Sequence, residues 1–177
     1  MNEQLEGIFR EQDCGDFRWI DPQQIIVAQW VRMKCTFGCD SYGKKAACPP
    51  NTPAVDACRQ FFQEYHTAAI FHFAAAKPER DERERWLREI NARMLKLERA
   101  AFLAGYQKAF GIPAACCRLC AKCEGEHEEC KHLESARPTA EALAVDVYGT
   151  ARGAGYHIQV LTDPKQEMDR YALLMLD

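Results

Sequence analysis

"CCRLCAKCEGEHEEC", residues 116–130, places five cysteines in fifteen positions. The side chains around them are largely charged: Lys122, Glu124, Glu126, Glu128 and Glu129 leave no apolar face that would hide thiols. The segment therefore reads as a solvated loop bent around something its sulfurs hold, and exposed thiols without such a partner would be prone to oxidation. A loop of this kind has no core of its own, so the elements on either side must supply the scaffold.

Working outward, strands and helices alternate. "TAAIFHFAAA" (67–76) reads as a buried strand, the nine-residue apolar run from Ala68 being about half of a membrane span. Residues 80–110 carry Trp86, Ile90, Met94, Leu97 and Ala101 at helical spacing among arginines and glutamates, with a break expected near Gly105 and Tyr106. Val55, Cys58, Phe62 and Tyr65 mark one apolar face of a short helix, with Thr52 as its expected N-cap and Pro53 in its first turn. "QIIVAQWVRMK" (24–34) is β-branched and aromatic-rich, and reads as a strand delivering the chain to Cys35. A helix is expected from Pro138 to Gly153 or Gly155, then strands "YHIQVL" and "YALLMLD" flanking the turn-like "TDPKQE". This pattern predicts an α/β fold: one compact domain over 1–177, a small sheet with packed helices, and two cysteine-rich metal-binding loops at about 35–50 and 116–133.

Bulk properties narrow the class. The chain has 177 residues, 47% of them apolar, a formal charge of −3 and no basic block, so nucleic-acid binding is not indicated. The amino-terminal stretch lacks the basic-then-apolar order of a signal peptide, which makes a cytoplasmic location the expectation. In a reducing compartment ten cysteines are not a disulfide framework, and seven of them fall into two groups, as metal ligands do.

From Cys117 the spacing is C-x2-C-x2-C-x6-C, through Cys120 and Cys123 to Cys130. Three closely spaced thiolates and a more distant fourth follow the plan of a ferredoxin-type four-iron cluster. Zinc sites more often pair two knuckles across ten or more residues, so iron is favoured and zinc is the alternative. His127 and His132 are alternative nitrogen ligands that would suit zinc. Cys116 and Cys117 are neighbours, and in extended backbone their side chains point opposite ways, so Cys117 is preferred for this group.

The second group, in "KCTFGCDSYGKKAACPP" (34–50), contains Cys35, Cys39 and Cys48 amid Arg32, Lys34, Lys44 and Lys45. Positive charge favours thiolates and anionic clusters. Its fourth ligand is open: Cys14, Cys58, Cys116, a histidine, water or a substrate. Because a cysteine followed by proline can ligate the other cluster of a pair, Cys48 need not belong with Cys35 and Cys39.

"VRMKCTFGCDSYGKKAACPP", "LERAAFLAGYQKAF", "CRLCAKC", "HLESARPTAEALAVDVYGTARGAG" and "YALLMLD" resemble successive blocks of one prokaryotic family of predicted metal-binding proteins, a domain of unknown function. The resemblance runs from about Gln24 onward. It implies that Cys35, Cys39, Cys48, Cys117, Cys120, Cys123 and Cys130 match the family motif, with Cys14, Cys58 and Cys116 peculiar to this chain, and it implies an anaerobic setting. Within its "RPTAEA" block, Arg137 is expected either to pair with Glu141 or to bind the cofactor by hydrogen-bonding cluster sulfur. Asp146 is expected to cap or anchor a loop.

Three functions follow, in order of preference. The first is electron transfer by one or two four-iron clusters with a redox protein partner, in anaerobic metabolism. The second is a zinc-stabilised binding or adaptor module. The third is an enzyme whose incompletely ligated cluster binds substrate. No serine, histidine and aspartate constellation for acid–base catalysis is evident.

Overall fold

The computed structural model describes residues 2–76, 79–163 and 166–177. Its centre is an antiparallel sheet of four strands in the order β1–β2–β4–β3: β1 is Phe17–Ile20, β2 Thr67–Ala75, β3 Phe110–Ile112 and β4 Met168–Leu176. Both long strands are central, pairing Thr67 with Leu176 and running in register to Ala75 with Met168. Central strands covered on both faces read as near-continuous apolar runs, which is why "TAAIFHFAAA" and "YALLMLD" were legible.

Alternation then splits their side chains into two cores. Ala69, Phe71, Phe73, Ala172, Leu174 and Leu176 face α1 (Asn2–Glu11) and α4 (Arg80–Leu103). Ala68, Ile70, Tyr171, Leu173 and Met175 face α3 (Val55–Gln63), α5 (Val147–Gly153) and the turn at Glu141–Leu143. α4 buries Leu87, Ile90, Met94, Leu97 and Ala101, the 3-4-3-4 spacing expected of one helix face. Leu87, one residue past the expected Trp86, takes the first buried position, while Trp86 is half-buried.

Several expectations require correction. Residues 24–34 are not a strand. Val27 makes an isolated bridge to Val145, and helix α2 then spans Gln29–Gly38. The consecutive β-branched run Ile25, Ile26 and Val27 ends before the helix, and Val31 is the one buried residue of α2, so no two-residue alternation pins the segment to a sheet. The helix expected from Pro138 is broken: a single 3₁₀ turn, Glu141–Leu143, stops at Ala144 in left-handed conformation (φ 62°). α5 restarts where Asp146 Oδ1 accepts the Gly149 N–H, the capping role expected of Asp146. "YHIQVL" forms no strand, because β3 occupies the sheet edge beside β4. Ala54, rather than Thr52, is the N-cap of α3. The middle of the expected turn at 162–167, Pro164 and Lys165, lies outside the described residues. α1, β1 and β3 carried too few periodic residues to be read from sequence.

Phe9 fixes α1 to the sheet. It is fully buried, with Phe17 and Phe71 edge-on at ring separations of 4.9 Å each. Phe9→Ala is expected to cost about 3–5 kcal/mol by cavity formation, measurable by chemical denaturation.

His72 on β2 is bracketed by two carboxylates, Nδ1 to Asp16 at 2.7 Å and Nε2 to Asp169 at 2.8 Å. Burial pushes its pKa down, but the hydrogen bonds to Asp169 and Asp16 outweigh that and raise it above 6.5. The folded state thus binds this proton more tightly than the unfolded chain. The resulting stabilisation is complete below pH 6.5 and is lost as pH rises through the higher folded value. Stability should therefore fall as pH rises across that window, and His72→Gln should remove this pH dependence from denaturation curves.

Candidate metal centre

The first cysteine group hangs from α2. Cys35 lies in the helix's last turns and Cys39 is its C-cap. The chain then turns tightly: Gly43 N–H donates to Pro49 O at 2.9 Å, and Cys48 N–H to Lys45 O at 3.0 Å. Cys48 is buried, next to the cis Pro49–Pro50 peptide.

The second group follows β3. Asn91 of α4 donates its amide hydrogens to the carbonyls of Ala115 and Cys116, at 2.9 and 3.3 Å, and so ties the start of this loop to the helix. The two loops also hold each other. Asn51 Nδ2 donates to Gly125 O at 2.7 Å and to Lys45 O at 3.3 Å, and Ala46 N–H donates to Cys123 Sγ at 3.4 Å. Gly125 has φ 96°, a conformation that favours glycine at this junction.

Two cavities result. The first, of about 350 Å³, is lined by Cys35, Cys39, Cys48 and Cys116, with Glu141 and Arg118 in its wall. The second, of about 10 Å³, is lined by Cys117, Cys120, Cys123 and Cys130, with Lys45 and His132 beside them. The consecutive residues Cys116 and Cys117 thus serve different cavities. All seven expected ligands line one or the other. Of the three candidates for the missing fourth position, Cys116 alone does so. Cys58 is buried in the core, its Sγ donating to Pro53 O at 3.4 Å, and Cys14 is buried beneath α1, donating to Gln12 O at 3.4 Å. Among the described residues, no group of three or more His, Cys, Asp or Glu is arranged so that it could hold a metal ion as it stands.

The thiols are near enough to affect one another. Burial, then the neighbouring Cys116, Cys39 and Cys35, pushes Cys48 up to about 12. Cys35 is raised by burial, then by Cys39 and Glu141. Cys117 is raised by burial and further by Cys123, Cys130 and Cys120, against a lowering hydrogen bond from the Leu119 backbone. Crowding of this kind resists negative charge until a cation arrives to share it, so binding a metal here would release protons.

The basic residues around the first group in sequence act on it only in part. Arg32 hydrogen-bonds the carbonyls of Pro53 and Ala142 but still favours the Cys35 thiolate, Lys45 lines the second cavity but still favours the Cys48 thiolate, and Lys34 lies over the Trp30 ring. Two further cations line the first cavity, Arg118 and Arg170; Arg118 Nη1 donates to Cys116 Sγ at 3.1 Å and its Nε donates to Glu84 at 2.8 Å. Sequence reading passed over Arg118, although its place inside "CRLC" was a usable signal. Arg137 pairs with Glu98, at 2.6 Å, rather than with Glu141, because α4 and not the Glu141 turn faces its guanidinium. It lines neither thiol cavity, but it does line a third pocket that reaches Cys117.

A family model described as "Predicted metal-binding protein (DUF2284)" matches residues 18–176. The chain belongs to this family of predicted metal-binding proteins. Every cysteine of both cavities falls inside the matched span, and Cys14 falls outside it. No curated protein and no solved structure matches the chain. No helix among the described residues is long and apolar enough to cross a membrane.

The geometry predicts an order of thiol accessibility in metal-free protein kept reduced. Cys39, exposed, should be alkylated first, and buried Cys14 and Cys58 last, at the rate of local opening. Mass spectrometry of time-resolved labelling reads this order directly. Fast labelling of Cys58 would contradict the packing described.

Proposed function

We propose that this family member is an iron–sulfur protein that holds two four-iron clusters and exchanges electrons with a redox protein partner. The observation that carries the reading is the division of thiols into two sets of four, with Cys116 beside Cys35, Cys39 and Cys48, and Cys117 with Cys120, Cys123 and Cys130. The donor chemistry fits: each set is all cysteine, as Fe–S clusters require. The first cavity is roomy enough for a multi-atom inorganic core. The second admits about one water-sized sphere, so filling it needs the loop 117–132, which has no helix or strand, to move outward.

Such clusters supply one-electron transfer and need no acid–base apparatus. The residues of the chain then have definable tasks. Arg118 places positive charge on Cys116 Sγ, and the Ala46 N–H donates to Cys123 Sγ. Hydrogen bonds and charge at sulfur are the means by which a protein sets a cluster's potential. Because Cys116 and Cys117 are joined by one peptide, the two sets are neighbours, and an electron can pass between them over a short path. A complete thiol complement at the first set argues against an open iron for substrate. We place the protein in the cytoplasm, where reducing conditions keep thiols available, and in anaerobic metabolism, where such clusters survive.

Zinc is the second reading, favoured by the small volume of the second cavity. There the thiolates would staple the loops around tetrahedral ions, Zn–S being about 2.3 Å.

Anaerobically purified protein should carry about eight iron and eight labile sulfide per chain. Cys116→Ala and Cys120→Ala should each lower this to about four, whereas Cys14→Ser and Cys58→Ser should leave it unchanged. Stoichiometric zinc without iron or sulfide would sink the proposal, and full iron in Cys116→Ala would sink the assignment of the fourth ligand.

A further inference from the structure

A third pocket, of about 240 Å³, opens beside the second thiol set. Its polar wall is Arg88, Asn91, Arg118, Ser135 and Arg137, its apolar wall includes Leu95, Pro113 and Leu119, and Cys117 also lines it. Arg88, Asn91 and Leu95 are three and four residues apart on α4, so one helix face presents them together. The remaining members come from the far side, on the segments after β3 and before the Glu141 turn.

The charges are specific. Arg118 and Arg137 are mostly buried, with side-chain exposures of 17% and 19%, and each is gripped by a carboxylate, Glu84 and Glu98 respectively. These pairs hold the guanidiniums in place at little further entropic cost to a ligand. Arg88 makes no hydrogen bond to the described residues and is exposed, within electrostatic reach of Glu84; three guanidiniums against two carboxylates leave the pocket one positive charge in excess. Asn91 is committed elsewhere: its Nδ2 is taken by the carbonyls of Ala115 and Cys116, and its Oδ1 is buried away from the open space of the pocket.

We infer that this pocket binds a small organic acid: one carboxylate for the arginines and an apolar body against Leu95, Pro113 and Leu119. An added ammonium would meet the excess positive charge and the apolar wall, so an amino acid fits less well. The volume lies just under the range of drug-sized sites and suits a molecule of this scale. An occupant would sit against Cys117 whatever metal that set holds, so the inference does not depend on iron.

The test uses the full chain purified without oxygen, with iron, zinc and sulfide measured on the same sample. Binding of isocaproate, the uncharged isocaproamide and leucine is followed by calorimetry and ligand-observed NMR. Isocaproate should bind saturably at one site, about tenfold or more tighter than the amide, with leucine also weaker than isocaproate. Arg88→Ala should weaken it about tenfold or more, and Leu95→Trp should abolish it by filling the pocket, with circular dichroism and metal content unchanged in both. The inference is overturned if no probe saturates, if the amide or leucine binds as tightly as isocaproate, or if both variants bind as the parent does. Binding by iron-free protein would uphold the pocket while refuting the cluster proposal, and iron-loaded protein that ignores all three probes would do the reverse.

Discussion

The two hydrogen bonds from Asn91 to the carbonyls of Ala115 and Cys116 fasten the cysteine-rich loop to the longest helix, and the arrangement of both thiol sets follows from that attachment. A loop without helix or strand has little to resist its own conformational entropy, which is on the order of 1–2 kcal/mol for each backbone residue fixed. Anchoring it at its first residues, on a helix whose adjoining face is sunk in the core at Ile90 and Met94, sets the position from which Cys116 and Cys117 diverge. One then serves the set reached from α2, the other the set formed within the loop itself.

The sheet makes that anchor rigid. α1 and α4 pack on one face, α3 and α5 on the other, and each long central strand supplies both cores by alternation. The first thiol set is assembled across this frame: α2 brings Cys35, the following turns bring Cys48, and the segment after β3 brings Cys116. Asn51 and Ala46 then clasp the two loops together through Gly125 and Cys123. The scaffold thus carries its sulfur-bearing loops on an antiparallel sheet that supports them.

Electrostatics divides in the same way. Thiols crowded together raise one another's pKa, and the guanidinium placed against them comes from Arg118, held in turn by Glu84 on α4. Arg118 borders both the first thiol cavity and the arginine-lined pocket, so one side chain connects the electrostatics of the two. Arg137, locked to Glu98 and lying over Phe110, closes the pocket from the other side.

Much of this was written in the sequence. Unbroken apolar runs announced β2 and β4, the repeat through Ile90, Met94 and Leu97 announced α4, and the clustering of cysteines in charged surroundings separated seven thiols from the core thiol Cys58. These are local signals, carried by composition and period within one segment. What residues 24–38 would become was not local. The β-branched stretch ends at Val27, and the helix that follows is chosen by where Val31 and Cys35 can face, not by propensity. The same holds for the partition of the thiols. Spacing along the chain groups Cys116 with Cys117, but peptide geometry turns adjacent side chains apart, and only the folded approach of α2 to the end of β3 assigns Cys116 to the distant set. Arg137 likewise found Glu98 across the fold instead of Glu141 along the chain, because long-range packing decides which charges meet.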